Sequence, residues 1–275
     1  MMACRRRVAA ALDWPRQLGE ASPRKPSAMK LKLLGTTGYH PNALRHTACF
    51  LLPELGILFD AGTGMFRLRE NLQTNELDIF LTHAHLDHII GLTFLLDQLA
   101  GREMERVTIH GRPQDLEAVQ THLFAESLFP VKPPWEFQPL NPSGCTVAGS
   151  GRMMTFPLEH PGGAVGYRID WPDRSLAYVT DTTADLDAPY VKRLFGVDLL
   201  IHECYFADDM ADWARKTGHS WTTAVAEVAR ASHVQKLLLV HLDPLKPEVD
   251  PINVAAAREI FPETILGEDL LEVEF

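Results

Sequence analysis

The run Leu81-Thr82-His83-Ala84-His85-Leu86-Asp87-His88 places three imidazoles and a carboxylate side by side directly after an apolar segment. Neutral imidazoles and ionised carboxylates are the ligands that hold zinc-like divalent ions in hydrolytic sites. If the apolar segment is a strand ending here, His83 and His85 are two apart, face the same way and reach one ion. Asp87 and His88 then fall on the turn into the next helix, where they serve a second ion. Two ions need more ligands, and the chain offers them at the ends of other apolar runs. His160 follows Met153–Leu158 and precedes Pro161-Gly162-Gly163, Asp181 follows Ala177-Tyr178-Val179-Thr180, and His241 follows Leu237-Leu238-Leu239-Val240. Taken singly, Asp181 reads equally well as a turn residue or helix cap, and His241 as a surface histidine.

Positioning these residues requires strands that all end on one side. Short apolar runs alternate with helical patterns in two successive rounds. The first round predicts strands at 30–34, 48–52, 57–60, 78–82 and 106–110, with helices at 64–71, 88–100 and 113–127. The second predicts strands at 152–158, 165–170, 175–180, 199–202 and 236–241, with helices at 187–195 and 222–232. Two mixed sheets with helices outside them make a four-layer αββα sandwich, an α/β fold of two similar halves forming a single catalytic domain over 29–275. Between the rounds, Leu128-Phe-Pro-Val-Lys-Pro-Pro-Trp-Glu-Phe137 reads as a stiff connector with an aromatic packed on the core, or as a substrate-side loop or subunit contact, which leaves room for a homodimer.

With 275 residues, 46% of them hydrophobic, the chain can bury one full core. Its four cysteines (Cys4, Cys49, Cys145, Cys204) include no C-x-x-C pair, which points to buried free thiols in a reducing cytoplasm rather than disulfides or a thiolate metal site. No apolar run is long enough to span a bilayer, so no membrane partner is expected. Residues 1–28 carry +4 and three prolines without periodicity, which predicts a disordered N-terminal extension whose apolar stretch is too brief for a secretory signal. The rest of the chain carries −14, against the formal −10 of the whole. That surface disfavours a long polyanion as substrate.

In order and spacing, His83-x-His85-x-Asp87-His88, His160, Asp181 and His241 resemble the metallo-β-lactamase superfamily over about residues 29–275. The resemblance implies one zinc held by His83, His85 and His160, a second by Asp87, His88 and His241, and Asp181 bridging them, with Mn²⁺ or iron as other metals the ligands accept. It also makes Asp60, in Phe59-Asp60-Ala61-Gly62, the partner that orients a ligating histidine. His160-Pro-Gly-Gly, Tyr178-Val-Thr-Asp181-Thr, Ile201-His202-Glu203-Cys-Tyr205 and Gly218-His219-Ser220 are similar to the ribonuclease Z and cyclic-phosphodiesterase branch. There a histidine of a His-Ser-Thr loop, supported by the glutamate of a His-Glu-Ala-Thr motif, protonates the leaving oxygen. His202, Glu203, His219 and Ser220 carry over, whereas Cys204-Tyr205 and Trp221 replace the usual small residues. Without the resemblance, His219 reads as a helix-entry histidine beside the N-cap Ser220.

The branch implies hydrolysis by attack of metal-bound hydroxide, with Asp87 both ligating and orienting the nucleophile and His219 as proton donor. The long arm with which ribonuclease Z grips transfer RNA has no counterpart, since residues 167–181 read as one tight hairpin. The expected substrate is therefore a small or single-stranded phosphodiester, a small molecule or short nucleotide, and folded transfer RNA is disfavoured. The alternatives are a lactonase or β-lactamase-like ester or amide hydrolase, a ribonuclease Z-type RNA 3′-processing endonuclease, and, from another class, a non-catalytic scaffold or metal sensor.

Overall fold

Along Ser175–Val179 every residue is buried, with Leu176 and Tyr178 pointing into one apolar cluster and Ala177 and Val179 into another. Such a strand lies inside a sheet covered on both faces. The computed structural model describes residues 28–275 and arranges its strands in two seven-stranded sheets. The first contains β1 (Lys30–Gly35), β2 (Cys49–Leu52), β3 (Ile57–Phe59), β4 (Glu76–Phe80), β5 (Arg106–Gly111) and β6 (Glu136–Pro139). The second runs from β7 (Cys145–Val147) through β8 (Gly151–Leu158), β9 (Ala164–Asp170), β10 (Ser175–Val179), β11 (Leu199–Glu203) and β12 (Lys236–Val240) to β13 (Thr264–Leu266). The last strand, β14 (Glu272–Glu274), returns to pair antiparallel with β1 and closes the edge of the first sheet.

Three apolar layers separate four structural layers. Leu31, Phe50, Phe59, Tyr167, Tyr178 and Leu238 meet between the sheets. Met65, Leu68, Leu92 and Leu116 pack helices on the outer face of the first sheet, while Val225, Ala226, Ala229 and Ala257 do so on the second. This is the αββα sandwich expected from the sequence. The expected N-terminal extension, but for Ala28, lies outside the described residues.

Several elements differ from expectation. The helix expected at 88–100 is broken into Leu86–Ile89, a 3-10 segment Ile90–Phe94 and Leu95–Gln98. The cause is competition for backbone partners: the His88 carbonyl accepts from Ala61 N–H and Gly91 N–H donates to the Ala61 carbonyl, both at 2.7 Å, so the turn is tied to the loop after Asp60. The helix expected at 187–195 is only the 3-10 turn Pro189–Arg193, and Arg168 takes the Arg193 and Phe195 carbonyls at its end. β6, β7, β13, β14 and the helices Ala211–Thr217 and Val254–Ile260 form where the sequence pattern predicts no element. The proline-rich connector packs Trp135 on the core and forms β6. Of the described cysteines Cys49 and Cys204 are buried, but Cys145 is exposed near the sheet edge, contrary to the expectation of buried thiols.

β3, β4 and β5 run parallel, as do β10, β11, β12 and β13. β8 is antiparallel to β9, which is antiparallel to β10, so β8 shares β10's direction. Within each sheet these parallel strands end on one side, and the contacts of His88 with Asp181 and of His241 with Asp87 bring the two sides to one edge of the sandwich, where an α/β fold gathers its chemistry.

Candidate metal centre

Five of the seven candidate ligands, and the orienting Asp60, stand just past one of those ends: Asp60 after β3, His83 and His85 after β4, His160 after β8, Asp181 after β10 and His241 after β12. His83 and His85 lie on the loop beyond Phe80 rather than on the strand, so the two-residue period does not align them. Asp87 and His88 open the helix Leu86–Ile89, as expected. Asp60, Asp181 and His241 have φ of 54°, 49° and 57°, the left-handed region that non-glycine residues rarely enter. Strain at three strand ends turns three side chains inward, and the surrounding contacts must hold it.

The ligand atoms form two groups sharing one carboxylate. His83, His85, His160 and Asp181 converge in the first, and Asp87, His88 and His241 in the second. Asp181 divides its oxygens: Oδ2 lies 3.6 Å from His83 Nε2 and 3.5 Å from His160 Nε2, while Oδ1 lies 3.3 Å from both His88 Nε2 and His241 Nε2. His160 Nε2 faces His85 Nδ1 at 3.2 Å, and His88 Nε2 faces His241 Nε2 at 3.2 Å. Bonds of 2.0–2.1 Å to a tetrahedral ion put neighbouring ligand atoms about 3.3 Å apart. These spacings match that edge.

The surroundings fix which nitrogens point inward. Asp60, fully buried, accepts from His88 Nδ1 at 2.8 Å, Tyr178 Oη at 2.8 Å and Thr82 N–H at 2.8 Å. The Thr82 hydroxyl donates to Asp60 and accepts from His83 Nδ1 at 3.0 Å. Asp60 thus sets the tautomer of His88 directly and of His83 through Thr82, presenting both Nε2 lone pairs to the site. His83 Nε2 is buried with no hydrogen-bond partner, an orphan acceptor that a cation satisfies. Burial, reinforced by nearby His88, holds the His83 imidazole well below its usual pKa, and burial brings His160 down to about 4. Burial alone would push Asp87 and Asp181 up, but the facing histidines outweigh it and hold both below the usual carboxylate range. His83 and His160 are thus neutral and Asp87 and Asp181 ionised, the states a divalent ion requires. At His88 burial is outweighed by the carboxylates of Asp87, Asp181 and Asp60, which raise the imidazole well above its usual value and hold a proton that a divalent ion would displace. The residues present fit a divalent metal ion on these grounds.

Glu203, at the end of β11 and fully buried, accepts from Thr182 N–H at 2.8 Å, Tyr205 N–H and Ser220 N–H at 3.2 Å each, and His219 Nδ1 at 3.0 Å. Burial would lower the His219 pKa, but Glu203 outweighs it and raises it to about 9. One His219 nitrogen lies within 4.8 Å of ligand atoms of Asp181 and His241. His202 touches none of the seven ligands: its Nδ1 donates to the Glu203 carbonyl at 2.7 Å and its Nε2 accepts from Tyr190 Oη at 3.1 Å, bracing the Glu203 backbone from behind.

Sequence reading missed several members. Tyr205 stacks on His219, ring centroids 4.7 Å apart and 25° between planes. Tyr39 donates its N–H to Asp87 Oδ2 at 2.8 Å from a left-handed backbone. Gly38 lies flat against His241, so that a Cβ there would meet both ring nitrogens at 2.7 Å. No local pattern marks these residues, because each acts across long sequence separations.

Fold and site together define a metal-dependent hydrolase. Residues 56–242 match the beta-lactamase superfamily domain, and the chain belongs to that superfamily, within its ribonuclease Z-like branch. It is 30% identical to a ribonuclease BN of Cronobacter sakazakii over 309 residues, covering 89% of this chain and 99% of the relative. It is 27% identical to a ribonuclease Z of Archaeoglobus fulgidus over 308 residues, covering 89% and 97%. An alignment of that length using only 89% of 275 residues leaves part of each relative without a counterpart here. Among solved structures, the metallo-beta-lactamase fold protein YhfI of Bacillus subtilis superposes with a TM-score of 0.74 at 21% identity, covering 90% of this chain and all of the other.

Proposed function

We propose that the chain is a dinuclear phosphodiesterase for small or single-stranded phosphodiesters, with His219 as proton donor. The observation that carries this reading is the His219–Glu203 pair beside the ligand cluster, which keeps an imidazolium at neutral pH where a departing alkoxide needs a proton. His83, His85 and His160 would hold one ion, Asp87, His88 and His241 another, with Asp181 shared. Ions held there supply positive charge that polarises a phosphoryl oxygen and lowers the pKa of water at the site. Asp87 Oδ2 is engaged by His88, His241 and Tyr39 N–H, which leaves Oδ1 to accept a hydrogen from the attacking water. Glu203 keeps the His219 Nδ1–H pointed at itself and the other nitrogen toward the scissile bond, and Tyr205 restrains the ring from its face.

A small substrate is supported by the short β9–β10 connection, in which Asp170 pairs directly with Ser175, and by the −14 charge of residues 29–275. Processing of RNA 3′ ends is the second reading, favoured by the names of the relatives, and folded transfer RNA would then need a grip these residues lack. Among the described residues no helix is long and apolar enough to cross a membrane. Zinc-loaded protein assayed against bis-p-nitrophenyl phosphate, 2′,3′-cyclic nucleotides, a lactone and nitrocefin tests the proposal. Turnover of the phosphodiesters is expected, and turnover of the lactone or nitrocefin alone would overturn it.

A further inference from the structure

Two of the candidate ligands are aimed by hydrogen bonds to their second ring nitrogen, His88 by Asp60 and His83 by Asp60 through Thr82. His160 has no such partner. Its Nε2 faces the ligand cluster, while its Nδ1 is covered by protein and unpartnered, on a side chain 4% exposed. The direction of that ring therefore depends on the backbone that carries it. This backbone is the turn between β8 and β9, and it holds two consecutive left-handed glycines, Gly162 at φ 80° and Gly163 at φ 75°. Glycines are the residues with most conformational freedom to lose, so a turn built on them needs outside contacts to keep one shape.

The inner side of the turn is tied to the site. The Thr182 hydroxyl donates to the Glu159 carbonyl at 3.2 Å, Gly163 N–H donates to the His160 carbonyl at 2.7 Å, and Val165 N–H donates to the Thr82 carbonyl at 3.0 Å. The outer side is tied to Arg112, just past the end of β5, whose Nη2 donates to the Gly162 carbonyl at 3.2 Å. Among the described residues no other side chain hydrogen-bonds the backbone of 160–163. A Cβ on Gly163 would stand 2.5 Å from Arg112 Nη1, so the guanidinium lies against the second glycine as well. Arg112 is itself fixed at both ends. Its carbonyl accepts from Asp115 N–H and Leu116 N–H at 3.0 Å each, and its Nε and Nη2 fork onto the buried Asp115 carboxylate at 2.6 and 2.9 Å.

We infer that Arg112, held by Asp115, is a positioning residue for His160: it clamps the two-glycine turn and so keeps the imidazole aimed at the ion that His83, His85 and His160 would hold. The inference rests on the reading of His160 as a metal ligand. Only a guanidinium has the donors for this task, because its planar fork engages both oxygens of one carboxylate and the second Nη2–H remains for a carbonyl. A lysine in its place keeps the charge beside Asp115 but is a point donor without the fork. Outer partners of metal-ligating histidines commonly change metal affinity by about 10- to 100-fold, and here the partner acts on the backbone instead of on the ring.

A double-mutant cycle on the full chain tests this, read as zinc affinity in competition with a chromophoric chelator and with no substrate present. Arg112→Met/Asp115→Leu removes both charges together, so no buried carboxylate is left unpaired. It should weaken zinc binding by about tenfold, and Arg112→Lys should weaken it by less. Neither change should weaken zinc binding further when His160 is already alanine, since residues that act through one another are not additive. A merely structural role would instead lower affinity equally with and without His160, and that result overturns the inference. An affinity in Arg112→Met/Asp115→Leu within about twofold of the wild type overturns it as well. Should the double variant fail to fold, Arg112→Lys decides by the same comparison: no loss, or a loss that survives His160→Ala, is overturning. If His160→Ala weakens zinc binding and the Arg112 variants do not, the Arg112 assignment alone fails. If His160→Ala leaves zinc binding unchanged, His160 is not a ligand, and the reading of the metal centre fails together with the role of Arg112.

Discussion

Replacing Glu203 by Gln tests the proposed proton donor with little change of shape. The carboxylate accepts from three backbone N–H groups and from His219 Nδ1, and it is the main cause of the rise of His219 to about 9. The amide removes the charge, and the imidazole should fall toward its ordinary value of about 6.5. At pH 7.5 an imidazole of pKa about 9 is almost wholly protonated, whereas one of about 6.5 is roughly one-tenth protonated, so about tenfold of the rate on alkoxide leaving groups should be lost. The protonated form is the competent acid, so activity is present below the folded pKa and lost as pH rises through it. The alkaline limb of kcat/KM should therefore move from about pH 9 in the wild type to near 6.5 in the variant. Part of the loss is also structural, because the amide nitrogen must face an N–H donor in a buried place, which costs about 1–3 kcal/mol. Profiles of kcat/KM against pH on an alkyl phosphodiester and on bis-p-nitrophenyl phosphate separate the two effects, since a stable phenolate leaves without a proton. An alkaline limb that stays in place in Glu203→Gln, or an equal loss on both substrates, would refute the proton-donor assignment.

Elemental analysis after zinc or manganese loading should give about two ions per chain, and Gly38→Ala, whose methyl overlaps the His241 ring, should lower affinity for the second by about ten- to hundredfold; one ion in the wild type removes the dinuclear proposal. Asp78 is pushed up by burial but brought down to about 2 by Arg106 and His110, so its stabilisation is present above about pH 4 and lost as pH falls through 2. Asp78→Asn should lower stability by on the order of 1–2 kcal/mol at pH 7 in chemical denaturation, and a loss persisting unchanged at pH 2 would contradict the charge argument. Precursor transfer RNA should be cleaved poorly relative to a small phosphodiester, and removal of residues 1–28 should leave small-substrate turnover intact; efficient cleavage at the 3′ end of the transfer RNA refutes the size argument.

The candidate ligands were legible because metal chemistry restricts residue types so strongly: three histidines and an aspartate in six positions suit almost nothing else, and hydrolysis of some kind followed from them. The layer architecture was legible because burial on both faces writes continuous apolar runs, and solvent on one face writes periodic ones. Even so, the strand register predicted for His83 and His85 does not hold, since a loop and not a pleat aligns them. What only the tertiary structure decided is everything that depends on distant segments meeting at one sheet edge. Asp60 reaches His83 through Thr82, Asp181 gives one oxygen to each ligand group, Gly38 makes room for His241, and Glu203 draws its four donors from three separate stretches of chain. The left-handed backbones of Asp60, Asp181 and His241 belong with these. A conformation that local sterics disfavour is stable only when the packing around it holds it, so no window of sequence around those residues announces it.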